Sequence, residues 1–100
     1  KLSFTKSRII SIVKREDTLM LHRLINAPNY DIYSPLDPYG NTLFHTCCVF
    51  GKLTFLTLLH QRFQFDLNRY NAQGQVCAHL AIEGMHLDVL DWLRSNGADV

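Results

Sequence analysis

The side chains in this sequence best suited to chemistry are His45, His79, Cys47, Cys48 and Cys77. Histidine and cysteine together bind zinc, and a thiol beside an imidazole can become a nucleophile. The spacing argues against both. No Cys-x-x-Cys pair occurs, let alone one with a distant second pair as structural zinc needs. Cys77 and His79 are two residues apart, so on one helix they point to different faces. Cys48 and His45 are three apart and could touch, yet no third group is evident to orient the imidazole and no oxyanion-binding loop appears. A Gly-rich phosphate loop and a paired-carboxylate site are also missing. These residues therefore point away from catalysis, from a bound cofactor and from a metal, and towards a structural role for the histidines and thiols.

The histidines say more as a pair. They lie 34 residues apart, and their surroundings recur at the same offset. Asp37-x-x-Gly40 returns as Asn71-x-x-Gly74, and Leu53-x-x-Leu56 returns as Leu87-x-x-Leu90. A fixed period in this range marks stacked supersecondary units, each burying its apolar face against a neighbour. Stacked units usually make binding surfaces, so the expected activity is holding another protein.

The elements that position these residues follow from local pattern. Asp37-Pro38-Tyr39-Gly40 has turn chemistry, with Asp first, Pro second and Gly fourth. Thr42 is a helix N-cap, and Leu43, Phe44, Cys47 and Cys48 then share one helical face. Gly51 ends that helix, and Leu53, Leu56 and Leu59 line a second one, supported by Phe55 and Leu58. The plan repeats after Asn71. Gly74 marks the turn, Ala78, Ala81 and Ile82 face inward on a first helix, and Gly84-Met85 breaks it. Leu87, Val89, Leu90, Trp92 and Leu93 form the second helix, with Trp92 as packing, and Asn96-Gly97 ends it. Residues 1–36 are a degenerate copy. Ile9, Ile10 and Val13 stand for Leu43, Phe44 and Cys47, while Leu19, Leu21, Leu24 and Ile25 stand for Leu53, Phe55, Leu58 and Leu59. Ser11 replaces the histidine.

Composition agrees with one soluble domain: 100 residues, 47% hydrophobic, net charge +1. No apolar stretch approaches the ~20 residues that span a bilayer. Three cysteines is an odd number and two of them are adjacent, which suits reduced thiols in a cytosolic or nuclear protein. Charge is uneven. Residues 1–36 hold six basic and three acidic residues, whereas residues 37–100 hold four and six. Lys1, Lys6, Arg8, Lys14 and Arg15 make the amino end basic. That suits the solvated face of a capping helix, and a basic segment can also attract nucleic acid or anionic lipid.

The two full copies resemble the ankyrin repeat family, whose pattern runs Asp-x-x-Gly-x-Thr-Pro-Leu-His-x-Ala-Ala-x-x-Gly-His-Leu and later Gly-Ala-Asp-Val-Asn. Asp37, Gly40, Thr42, His45, Gly51 and Leu53 match in the first copy. Gly74, His79, Ala81, His86, Leu87 and Gly97-Ala98-Asp99-Val100 match in the second. The family's Pro is replaced by Leu43 and Cys77, its Thr by Val76, and one residue is inserted between Leu59 and Asn68. The resemblance implies an all-α solenoid: a capping repeat at 1–36, a repeat at 37–70, and an incomplete one at 71–100 that we expect to continue beyond Val100. It further implies that the histidines bond turn backbone, and that the cysteines stand where the family has alanine. In such a stack the turn tips and the exposed side of each first helix line a concave groove. Here those positions are Pro38, Tyr39, Asn41, Val49 and Phe50, then Tyr70, Ala72, Gln73, Gln75 and Glu83. The open end is expected at Leu87–Leu93.

The phrase Asn41-Thr-Leu-Phe-His45 also looks like IκB-type ankyrin proteins, most of all the truncated viral vankyrins of polydnaviruses. That likeness implies a Rel/NF-κB dimer as partner, held in the cytoplasm of a host cell, with immune signalling suppressed. A generic ankyrin adaptor or scaffold with an unrelated protein partner is the alternative. The hundred residues contain no Asp-Ser-Gly-x-x-Ser destruction motif.

Overall fold

The computed structural model describes residues 3–100; Lys1 of the basic amino end lies outside them. Among the described residues the chain forms six α-helices and no strand. They come as three pairs joined by short turns: α1 (Lys6–Arg15) with α2 (Thr18–Ile25), α3 (Leu43–Val49) with α4 (Leu53–Phe63), and α5 (Cys77–Glu83) with α6 (Leu87–Ser95). None of these helices is long and apolar enough to cross a membrane.

Local chemistry sets where the helices begin. Thr5 caps α1 by accepting the Arg8 N–H at 3.1 Å, and Asp17 caps α2 by accepting that of Met20 at 3.2 Å. Thr42 caps α3 in a reciprocal arrangement with His45. Each cap satisfies one of the N–H groups that a helix cannot pair internally. Val76 takes Thr42's place before α5 and has no oxygen to offer, so that helix starts without a side-chain cap.

The first helix of each pair packs beside the next, α1 on α3 and α3 on α5, while α4 packs on α6 behind them. The result is an elongated body of 41 × 25 × 22 Å. Its core runs along the stack through Val13, Leu21 and Leu24, then Leu43, Cys47, Phe55 and Leu56, then Ala81, Val89 and Leu93, each fully buried. Phe44 lies flat on Phe65, ring centroids 3.9 Å apart. Trp92 is half-buried and meets His60 edge-on at 5.3 Å, a packing role as its place on the stripe suggested.

Equivalent positions do not share one fate. Leu19, Leu53 and Leu87 stand 34 residues apart at the starts of α2, α4 and α6. The outer two are 64% exposed, while Leu53, with a pair on either side, is half-buried. The inward role expected of Ile82 is also corrected, since it is 53% exposed on the far side of α5. The open end expected at Leu87–Leu93 is therefore met at Leu87 but not at Val89 or Leu93. Val89 and Leu93 are fully buried, and the uncovered apolar surface is carried by Tyr70, Ile82, Met85 and Leu87.

His45 ties the stack together. It is fully buried, it stacks on Phe44 with centroids 5.0 Å apart, and both ring nitrogens are used. Nδ1 accepts the Thr42 N–H at 3.2 Å and lies 2.8 Å from the Thr42 hydroxyl. A backbone N–H can only donate, so Nδ1 is unprotonated and Nε2–H donates to the Arg69 carbonyl at 2.9 Å. One neutral ring thus closes the α3 cap and holds the connection that leads into the next repeat. Burial is the main cause that lowers the His45 pKa, and the Arg69 carbonyl opposes it in part.

A second tie is made by His86. Its Nε2 donates to the Val49 carbonyl at 2.9 Å, joining the α5–α6 turn to the end of α3. The ring fills the space beside Gly51, where an added Cβ would collide with Nδ1. Gly51 also has φ +67°, a left-handed backbone that glycine adopts without strain.

Two predictions follow from these ties. Gly51→Ala carries the left-handed cost of about 1–2 kcal/mol and an overpacking cost of about 1–3 kcal/mol against His86. Gly74→Ala has the same backbone cost at φ +74° but nothing within 4 Å of its new Cβ. Urea denaturation should place the Gly51 variant clearly below the Gly74 variant, and equal midpoints would remove His86 from the account. For His45 the folded pKa lies below the unfolded value, so its contribution to stability is complete above about pH 6.5 and is lost as pH falls through the folded pKa. The thermal midpoint should be level from about pH 8 to 7 and decline towards pH 5, with a shallower decline in His45→Asn. A wild-type midpoint that does not move over this range would contradict the assignment.

Candidate protein-binding surface

The turn tips are built by side chains that fold back on their own backbone. Asp37 Oδ1 accepts the N–H groups of Tyr39 at 3.0 Å and Asn41 at 3.1 Å, and Asp37 Oδ2 accepts from Asn41 Nδ2 at 2.9 Å. Asn71 repeats this in the next unit, its Oδ1 accepting from Gln73 and Gln75 at 2.9 Å each. Adjacent tips are joined where the Ala72 N–H donates to the Tyr39 carbonyl at 2.9 Å.

The tips are also linked through their side chains. Asn71 Nδ2 donates to Asn41 Oδ1 at 2.8 Å and to Gln75 Oε1 at 3.1 Å, and Gln75 Nε2 donates to Glu83 Oε1 at 3.2 Å. This explains why asparagine stands at 71 where the preceding unit has Asp37. An ionised aspartate has no proton to give the Asn41 carbonyl. It also corrects the expectation that Asn41 lines the groove. Asn41 is 5% exposed, with its amide nitrogen on Asp37 and its amide oxygen on Asn71, so it serves as a joint between repeats.

The other groove positions keep some or all of their surface. Tyr39 is 54% and Tyr70 69% exposed, Gln73 and Glu83 are exposed, and Gln75 is half-buried. Val49 and Phe50 are half-buried at the end of α3. Phe50 packs against the core and carries Lys14 Nζ 5.2 Å above its ring. The structure thus divides the predicted set into exposed tips, partly covered helix-end residues and one buried joint.

His79 parts company with His45. It is exposed, and with Tyr70, Val76, Ala78, Ile82 and Val100 it lines an open depression of about 330 Å³ on the far face of α5. Sequence reasoning missed Ile82 as a surface residue because it follows the apolar helical pattern, and it gave Met85 only as part of the break between two helices, which leaves its side chain exposed. It also missed Tyr33, which sits 4.6 Å beneath the Arg69 guanidinium. No local signal could have paired those two.

All three thiols are buried. Burial pushes the Cys47 pKa up, and a hydrogen bond to Cys77, then burial, raises that of Cys48. The contact imagined between Cys48 and His45 is not made: Cys48 partners Cys77, and His45 spends both nitrogens elsewhere. The Tyr30 hydroxyl is also enclosed, and burial chiefly raises its pKa to about 12.

Comparison with known proteins places this geometry. The probable 26S proteasome regulatory subunit p28 of Saccharomyces cerevisiae is 35% identical over 92 residues, covering 91% of this chain. The NF-kappa-B inhibitor cactus of Drosophila melanogaster is 29% identical over 93 residues, covering 64% of it. This chain spans only 40% of p28 and 19% of cactus. The fold matches a chain in the structure of the Bd0816 predatory endopeptidase from Bdellovibrio bacteriovorus in complex with immunity protein Bd3460. That match has a TM-score of 0.81 and 21% identity, over all of this chain and 49% of the other. A family model for ankyrin repeats in three copies matches residues 9–100. With its capping histidine, turn tips and stacked helix pairs, the chain belongs to the ankyrin-repeat family.

Proposed function

We propose that this protein is a non-enzymatic binding module that grips a protein partner along the turn tips and the exposed ends of α1, α3 and α5. The observation that carries this reading is the exposed Tyr39 on a tip held rigid by the Asp37–Asn41–Asn71 bonds, with the exposed Tyr70 at the base of the next tip. Aromatic side chains on a preorganised frame supply binding energy with little ordering cost. Two partner classes are in play. Likeness to p28 covers more of the chain at higher identity, and it favours an adaptor acting on a subunit of a large assembly such as the proteasome regulatory particle. Likeness to cactus and the Asn41–His45 phrase support an IκB-like inhibitor of Rel/NF-κB dimers, the viral vankyrin type included, acting in the cytoplasm or nucleus.

Calorimetric titration against a purified Rel-homology dimer and against purified proteasome regulatory particle separates the two. The productive partner should bind in the micromolar range or tighter, and Tyr39→Ala/Tyr70→Ala should weaken it by about tenfold or more. The thermal midpoint should hardly move, because both rings are mostly exposed. A double variant that binds either partner as well as wild type would sink the tip assignment. Absence of binding to both would remove both partner classes.

A further inference from the structure

The end residues of the three inner helices stand in one row. Arg15, Val49 and Glu83 are the last residues of α1, α3 and α5, and they sit 34 residues apart. Contacts across the row fix its register. Lys14 reaches Phe50, Lys52 reaches Glu16 at 3.9 Å, and His86 reaches the Val49 carbonyl.

The row changes sign along its length. Arg15 and Glu83 are both exposed, and neither makes an ion pair among the described residues. Glu16 is turned to Lys52, and Asp17, which caps α2 and lines one depression with Arg15, offsets one further charge, so Lys14 and Arg15 still leave the α1 end net positive. At the α5 end Glu83 is held by Gln75 at 3.2 Å, with Asp88 following at the start of α6. Between them lie the half-buried Val49 and Phe50. Packed helices are 8–10 Å apart, so two steps separate the charges by roughly 16–20 Å. That is about twice the screening length at physiological salt, so the two ends do not cancel and each presents its own sign.

We propose that this row reads polarity in the partner: an extended segment bearing an acidic residue against Lys14/Arg15, an apolar side chain on Val49/Phe50, and a basic residue against Glu83. At ~3.3 Å per residue the acidic and basic positions are about five or six residues apart. The inference deepens the binding-module reading and rests on it, because it specifies the chemistry of what the surface holds.

The test is selection from a random peptide display library on the immobilised protein, run in parallel with Glu83→Lys and Arg15→Glu, each checked for unchanged helicity. Wild type should enrich peptides with one acidic and one basic residue at that separation and an apolar residue between. Glu83→Lys should enrich two acidic positions, and Arg15→Glu two basic ones. A peptide selected on wild type should lose about fivefold in affinity on either reversal, the upper end for an exposed ion pair. Enriched peptides that lose binding to Tyr39→Ala/Tyr70→Ala but ignore both charge reversals would overturn the polarity and leave the binding-module reading standing. Failure to enrich any peptide would overturn the linear-segment inference, while the partner titration still decides the module.

Discussion

A buried imidazole with both nitrogens committed is the constraint on which the rest of the stack depends. His45 is the point where α3's first turn, the core and the following connection meet. Its neutral form is required, since a proton on Nδ1 would oppose the Thr42 N–H. An unpaired nitrogen at this depth would cost roughly 1–3 kcal/mol. One side chain therefore fixes the helix start and places Arg69 and Tyr70, and with them the base of the next turn tip. The binding surface inherits its shape from a bond made inside the protein.

The same residue type does different work at the next copy. His79 has His45's place in the pattern but not its environment, and it is exposed. Leu53 is half-buried where Leu19 and Leu87 are not, and Cys48 meets Cys77 where the equivalent Ile82 meets solvent. In a stack each unit contacts only its neighbours, so burial is a property of position in the row rather than of the motif. A repeat pattern accordingly specifies which residues can be buried, while the presence of a neighbour specifies which are.

The surface shows the complementary economy. Asn41 and Asn71 use their side chains to lock adjacent tips, and this frees Tyr39 and Tyr70 to stand in solvent on a stiff frame. Charge is likewise sorted: Glu16 is neutralised by Lys52, whereas Arg15 and Glu83 are left to act outward. Polar groups that build the frame and polar groups that face a partner are different residues, and only bonding across the repeats tells them apart.

The sequence by itself determined the helix pairs, the cap at Thr42, the glycine turns and the ankyrin architecture, because each depends on residues within one or two turns of one another; the caps at Thr5 and Asp17 use the same local chemistry but came from the structure. The sequence also placed Tyr39, Tyr70, Gln73 and Glu83 on the outside. What it could not decide were the contacts that span a repeat: Asn71 on Asn41, His45 on Arg69, Cys48 on Cys77, His86 on Val49, Arg69 over Tyr33. Those pairs are 24 to 37 residues apart, and no local periodicity encodes which polar atom meets which. Asn41 was misplaced for that reason. Its position in the motif faces the groove, but tertiary packing brought Asn71 against it, and the bond to Asn71 replaces the water that an exposed amide would hold.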